Sequence, residues 1–317
     1  VTRRKKEPQD WLRDQLSQIS SIGKAAARIR PGVTHDYGEH TALKLAALNH
    51  ALSVFTDVAW KYVHVEHWYR SLVYVDLFAG CGVTRTPKGR DFLAGSPLLA
   101  ASTRRPFDRM VLVEKDEGLA DVLRQRLAPL PLALAPSVLA QDCNKPIAGV
   151  DGADSSRDLV FVAVDPEGLE FDWDRLVAIS ERFPAADFFF NFTAGTKRVL
   201  AAATAAGRES PALRRATGLT VRQVLDSAGG DAAQAFEGQI REVLGKKFGG
   251  TSTIYDRGGN PIYNLMLYSR QTRGGSLYAV RGYGAIHTRL EGLRADDVDL
   301  ALNTVKARRL EDAAERP

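Results

Sequence analysis

Leu72-Val73-Tyr74-Val75-Asp76-Leu77-Phe78-Ala79-Gly80-Cys81-Gly82 decides how this chain is read. Leu72 to Val75 is a run of aliphatic, aromatic and β-branched residues, the pattern of a buried parallel strand. Asp76 falls where that strand should end. Gly80 and Gly82 then let the backbone turn tightly and approach a ligand closely. A loop of this kind at the carboxyl end of a first strand is where open α/β sheets bind nucleotides. It is not the dinucleotide fingerprint, because position 85 is Arg85, and it is not a P-loop, because no Gly-Lys-Ser/Thr follows.

The strands downstream extend the pattern. Met110 to Val113 reads as a second strand ending in Glu114-Lys115-Asp116. An acidic residue there can accept both hydroxyl hydrogens of a ribose. Ser137 to Ala140 reads as a third strand, leading to Gln141-Asp142-Cys143. Cys143 is a small wall residue, since nothing nearby lowers its pKa. Leu159 to Val164 is the strongest strand, continuous enough to be covered on both faces. It delivers Asp165-Pro166-Glu167-Gly168 beside the first loop, at the topological switch point. Asp165 and Glu167 are the candidates for orienting a substrate and accepting its proton. Asp165 can equally cap the next helix, Trp173 to Ile179. Ala186 to Phe192 is a fifth strand, with Asn191 near its end as a substrate contact or a turn residue.

Helices fill the intervals. Leu45, Leu48, Leu52, Phe55 and Val58 recur at helical steps over 41–60, ahead of the first strand. Ser96 is a candidate cap with Pro97 at the first helical position, so exposed amides face the crevice. Leu119 to Leu127 forms one side of a helix over 116–127. Residues 195–248 read as helical over Lys197–Ala206, Val221–Ser227 and Ala232–Lys246, punctuated by Gly229-Gly230 and Gly249-Gly250. Ile254–Arg257 and Ile262–Ser269 flank a hairpin turn. His64, His67, Trp68 and Tyr69 read as packing or surface rather than as a metal site.

The chain has 317 residues and 44% hydrophobic content, enough for a sizeable core. No apolar run approaches the ~20 residues of a membrane span. The first residues are charged and carry no signal-peptide core, and the two cysteines, Cys81 and Cys143, form no Cys-x-x-Cys pair. A cytoplasmic protein without a structural metal is expected. Residues 1–32 hold eight Lys and Arg against three acids, which equals the whole chain's excess of +5. Nucleic acid is a candidate partner for that segment, including Arg3, Arg4, Lys5 and Lys6, or it is a solvated basic helix. The basic stretch from Arg85 through Lys88 to Arg90 reads as a long loop that either guides a phosphate-bearing substrate or is simply solvated.

The pattern Asp-x-Phe-x-Gly-x-Gly at 76–82 resembles the first motif of Rossmann-like S-adenosylmethionine (SAM) methyltransferases. Together with the helix carrying Lys44, Gly95-Ser96-Pro97-Leu98, Val113-Glu114-Lys115-Asp116, Val164-Asp165-Pro166-Glu167-Gly168 and Ile262-Tyr263-Asn264-Leu265, it resembles the three-Cys-motif partner (TcmP) family. The resemblance runs from roughly Thr41 to Leu290. Two positions depart from it: Cys81 stands where proline is common, and Glu167 where an aromatic or apolar residue is usual. Phe171 or Trp173 can stand in for that aromatic.

The resemblance implies a Rossmann-like class I methyltransferase sheet, mostly parallel, closed by an antiparallel hairpin, in an α/β fold. It implies a domain of 37–192 and 251–300, a helical insertion at 193–250, a basic extension at 1–36 and a tail at 301–317. It implies SAM as cofactor, contacted by Asp76, Phe78, Ala79, Gly80, Gly82, Ser96, Pro97, Glu114, Lys115, Asp142, Cys143 and Asp165, with Asp142 on the adenine amine. Asp165, Glu167 and Asn191 are then the catalytic candidates, and a nucleobase, nucleic acid or nucleotide-like molecule the substrate. A non-catalytic SAM-binding partner subunit stays open. So does a metal-dependent nucleic-acid-processing protein using Asp165, Glu167 and Asn191. A protein partner is a further expectation.

Overall fold

A computed structural model describes residues 7–36, 38, 40–86, 91–151, 157–271 and 278–314, apart from the side chains of 308–314. The chain opens with α1 (Pro8–Ala26), β1 (His35–Asp36) and the long α2 (His40–His64). The first five residues of the quoted stretch, Leu72 to Asp76, lie in β2 (Ser71–Asp76). After it come β3 (Val83–Arg85), β4 (Phe92–Ala94), α3 (Ser96–Ala101), β5 (Arg109–Glu114) and α4 (Glu117–Leu127). The middle of the chain supplies β6 (Ser137–Ala140), β7 (Asp158–Val164), α5 (Trp173–Arg182) and β8 (Asp187–Thr193). Four helices follow: α6 (Thr196–Ala205), α7 (Pro211–Thr217), α8 (Val221–Ala228) and α9 (Ala232–Glu242). The chain closes with β9 (Phe248–Tyr255), β10 (Pro261–Ser269), a π-helical turn at Ala279–Tyr283, α10 (Gly284–Glu291) and α11 (Ala295–Ala314).

Seven strands form one sheet in the order β6-β5-β2-β7-β8-β10-β9. Numbered within the sheet, that order is 3-2-1-4-5-7-6. Neighbouring strands from β6 to β8 run parallel, and β10 is antiparallel to both of its neighbours. The chain leaves β2 towards β5 on one side and returns to β7 on the other, so the crevice opens above β2 and β7.

The pleat sorts the strand residues between two cores. Leu72, Tyr74, Leu112 and Phe161 face α1, α2, α3 and α11. Val73, Val75, Val111, Val160, Val162 and Phe190 face α5 and the four helices that follow β8. The successive residues of one strand thus pack on opposite layers, as period two requires. The stretch 193–250 is the crossover from β8 to β9, and Leu200, Leu213, Val224 and Phe236 bury its inner surface.

Several expectations meet a different structure. Within the segment read as a basic extension or a solvated basic helix, α1 runs from Pro8 to Ala26, and its Trp11, Leu12, Leu16 and Ile19 are buried in the core. The long loop expected at 83–92 begins and ends as strands. Val83↔Ala94 and Thr84↔Leu93 pair antiparallel, and His35↔Thr84 adds β1 in parallel. Residues 87–90, with Lys88 and Arg90, and residues 1–6, with Arg3 to Lys6, lie outside the described residues. The sequence reading passes over α7, a short helix capped by the Ser210 hydroxyl on Leu213 N, with Pro211 in its first turn. Helix α9 ends at Glu242 rather than Lys246. Gly249-Gly250 is not punctuation but part of β9. A Cβ on Gly249, at φ +148°, would meet the Leu267 carbonyl oxygen, so the strand needs glycine there.

Candidate active site

The crevice above β2 and β7 is a cleft of about 340 Å³. The glycine loop forms its floor through Phe78, Ala79, Gly80 and Gly82. Both glycines adopt positive φ, +59° and +80°. A Cβ on Gly80 would meet His35 Nε2, and one on Gly82 would meet Leu123 and Leu98. Bare backbone at these positions is therefore required by the protein's own packing and leaves the loop open on the cleft side.

Glu114 ends β5 at the cleft wall. Its Oε2 accepts from Gly80 N at 2.9 Å and its Oε1 from Asp116 N at 2.8 Å. One carboxylate so fixes both the glycine loop and the start of α4, which Asp116 caps through Leu119 N. Lys115 and Asp116 line the same wall. Asp142 accepts from Asn144 N in a tight Asx turn and lines the cleft with Cys143. Burial, with Asp142 adding to it, pushes the Cys143 thiol up to about 12, which suits a wall residue and not a nucleophile.

Asp165 stands at the end of β7. Lys44 Nζ lies 2.6 Å from its Oδ2, and Asn191 Nδ2 donates to its Oδ1 at 2.7 Å. Lys44 and Asp165 are only 12% and 25% exposed, so this pair is shielded but still faces the cleft. Helix α5 begins after Asp172, so the Asp165 carboxylate is not spent on a helix cap. Glu167 is exposed at the cleft, and its backbone N–H donates to Glu170 Oε1 at 2.7 Å. Asn144 joins the two loops, donating to Glu170 O at 2.7 Å and accepting from Asp172 N at 2.9 Å.

Three expected contacts lie off the cleft surface. Asp76 is fully buried beneath the loop, where it accepts from Tyr74 OH at 2.8 Å and Phe78 N at 3.2 Å. Burial pushes its carboxyl up to about 6, against hydrogen bonds from Ser96, Tyr74 and Phe78 N. Ser96 lines the cleft, but as the first residue of α3 after the Gly95 cap. It caps nothing and hydrogen-bonds Asp76 instead. Pro97 is buried one residue further on. Asn191 is 7% exposed and reaches the site only through Asp165. Phe171 and Trp173, read as stand-ins for the missing aromatic, are buried against Phe78 and Phe190, and against Phe236.

The sequence reading left out several lining residues. Lys44 was legible only as part of a motif. Thr41, Glu170 and Asn144 carry no signal of their own. His35 arrives through β1, a two-residue strand that no periodicity marks. Its Nε2 accepts from Cys81 N at 3.3 Å, and its contact with the Cys81 thiol raises the imidazole pKa against the effect of burial. Burial opposes ionisation of Cys81, yet His35 beside it holds the thiol below its ordinary value. Arg85, in the loop read as either guiding a phosphate-bearing substrate or solvated, forms a bidentate pair with Asp36. Among the described residues, no three His, Cys, Asp or Glu side chains converge as metal ligands, and no helix is long and apolar enough to cross a membrane.

The order 3-2-1-4-5-7-6 with a reversed seventh strand defines an α/β fold of the Rossmann-like SAM-dependent methyltransferase class. No family model and no curated protein matches the chain. Solved structures do. Protein LPL1258 from Legionella pneumophila, of the DUF519 family, is 12% identical over 76% of this chain and 92% of its own, with a TM-score of 0.44. A SAM-dependent methyltransferase from Clostridium acetobutylicum is 17% identical over 45% of this chain and 51% of its own, with a TM-score of 0.28. Pyrococcus horikoshii TYW2, solved with MeSAdo, is 14% identical over 64% and 58%, with a TM-score of 0.33.

Proposed function

We propose that this chain is a SAM-dependent methyltransferase acting on a nucleobase, nucleic acid or nucleotide-like substrate, of the kind its motifs resemble in the TcmP family. The observation that carries the reading is the charge of the cleft. Among the described residues, Glu114, Asp116, Asp142, Asp165, Glu167 and Glu170 line it against two lysines, Lys44 and Lys115. SAM bears a sulfonium and an ammonium against one carboxylate, so it enters such a cleft as a cation. A dinucleotide or nucleoside triphosphate would bring phosphates against those carboxylates and be repelled. The volume of about 340 Å³ lies within the range of small-molecule sites. Two free, buried cysteines suit a cytoplasmic protein.

The residues divide the work. Glu114 keeps lone pairs for a ribose diol while it holds the glycine loop. Asp142 and Cys143 border the adenine, and Lys44 offers the cation for the amino-acid carboxylate. Bound in the cleft, SAM would supply an electrophilic methyl group. Asp165 accepts a hydrogen bond from the acceptor's N–H or O–H and aims its lone pair at that methyl. Lys44 and Asn191 fix the two oxygens of Asp165 for this purpose. Glu167, exposed beside it, takes the proton the acceptor loses. Asp76 acts from below, keeping the loop attached to its strand.

The test is transfer of a labelled methyl group from SAM to nucleosides, single-stranded RNA and single-stranded DNA. Asp165→Asn should leave the fold intact and abolish transfer. Turnover by that variant at the wild-type rate would remove Asp165 from the mechanism. SAM binding without transfer to any acceptor would leave a SAM-binding partner subunit.

A further inference from the structure

Basic charge gathers on the crossover helices. Residues 194–222 hold Lys197, Arg198, Arg208, Arg214, Arg215 and Arg222 against a single acid, Glu209. All six are exposed, on α6, in the turn after it, on α7 and at the start of α8. Among the described residues, no carboxylate pairs with Lys197, Arg198, Arg208 or Arg214, whereas Arg215 reaches Asp172 at 3.2 Å and Arg222 reaches Asp226 at 3.5 Å. Of the basic residues that the sequence first suggested, Arg3 to Lys6, Lys88 and Arg90 lie outside the described residues, and three others are paired. Arg13 pairs with Asp10, Lys24 with Asp91 and Arg85 with Asp36.

The patch is continuous with the cleft. Asp172, the partner of Arg215, donates its backbone N–H to Asn144, which lines the cleft. Helix α6 starts three residues after the end of β8, the strand that carries Asn191 beside Asp165. Asn191 Oδ1 is buried and has no hydrogen-bond partner. It borders a small cavity between the Pro166–Gly168 loop and Ala216 of α7, immediately under the patch. That cavity, about 10 Å³, has room for one water at most, which is enough to satisfy the acceptor.

We propose that α6 and α7 form a docking surface for the phosphate backbone of a nucleic-acid strand, which presents one unstacked base to Asp165. The inference rests on the methyltransferase reading and names its substrate class. Charge is sorted along the path. Carboxylates surround the cationic cofactor, and unpaired Lys and Arg meet the phosphates that stay outside. A base inside a duplex cannot reach a shielded carboxylate, so the strand is single or locally opened.

The experiment is fluorescence anisotropy of the full chain with labelled single-stranded RNA, single-stranded DNA and duplex DNA across a salt series, with no SAM present. Wild type should bind single strands with an affinity that falls as salt rises. The triple variant Lys197→Ala, Arg198→Ala, Arg214→Ala changes exposed helix positions to the best helix former, so the fold should persist. It should lower the salt slope by about 2, three contacts at roughly 0.7 each. Arg104→Ala, exposed and paired with Asp57, should change nothing. SAM affinity of the triple variant, read by calorimetry, should equal that of wild type. Three results would overturn the assignment: no salt-dependent binding by wild type, a wild-type slope in the triple variant, or loss only when Arg85 is replaced. Failure of SAM binding would count against the cofactor reading alone.

Discussion

Glu114→Gln isolates what the carboxylate at the end of β5 contributes. In the wild type, each oxygen already accepts one backbone N–H, from Gly80 and from Asp116. Each keeps a lone pair for one ribose hydroxyl. The carboxamide retains one acceptor and replaces the other by a donor, which faces a backbone N–H that is also a donor. One ribose hydrogen bond to a charged group is lost, and such bonds contribute about 1.5–3 kcal/mol. Affinity for SAM should therefore fall by between about ten- and 150-fold. The assay is calorimetric titration with S-adenosylhomocysteine, which carries the same ribose and cannot react. Thermal unfolding of the ligand-free proteins separates any loosening of the glycine loop from the lost contact. Glu114→Ala removes both acceptors and should bind more weakly than Glu114→Gln. Two folded variants binding within about twofold of wild type would refute the ribose assignment, because not even the lower limit of ~1.5 kcal/mol would be lost.

Two stability predictions test the scaffold. Arg126 is 1% exposed and donates to four carbonyls, Ile29 O, Arg30 O, Val33 O and Cys81 O, tying the segment after α1 to the glycine loop. Arg126→Met should cost at least about 3 kcal/mol in denaturant unfolding by orphaning those acceptors, and a loss below about 1 kcal/mol would mean the tie is dispensable. His50 Nδ1 accepts from Trp11 Nε1 at 2.8 Å, and burial with Arg289 nearby lowers its pKa to about 4. The unfolded chain binds a proton here near pH 6.5 and the folded chain only near 4, so stability is full above the higher value and lost as pH falls through this window. The difference in stability between wild type and His50→Gln should grow by up to about 3 kcal/mol from pH 4 to 6.5, and a flat difference would remove His50 from the acid response.

The sheet was legible because its strands are runs of β-branched and aromatic residues closed by turn residues, and β2, β5, β6, β7 and β8 fall where those runs stand. The order of the crossovers placed Glu114, Asp142 and Asp165 at the carboxyl ends that border the cleft. Other parts carry no periodic signal. β1 and β3 are two and three residues long, too short to show alternation. Helix α1 mixes charges with its buried Trp11, Leu12, Leu16 and Ile19, so its composition reads as an extension although its inner stripe packs in the core. Asp76 was read from its place in the chain. The pleat decides otherwise, since Asp76 shares a face with Leu72 and Tyr74 and points under α3 towards Ser96. The pairing of Lys44 with Asp165 links residues 121 positions apart and is a property of the fold alone.

Calorimetric titration of the wild-type chain with SAM, and with ATP and NAD for comparison, tests the central claim most directly. A cleft in which six carboxylates face two lysines should bind SAM and S-adenosylhomocysteine and leave both phosphate-bearing ligands unbound. Absence of SAM binding, or tighter binding of ATP or NAD than of SAM, would contradict it.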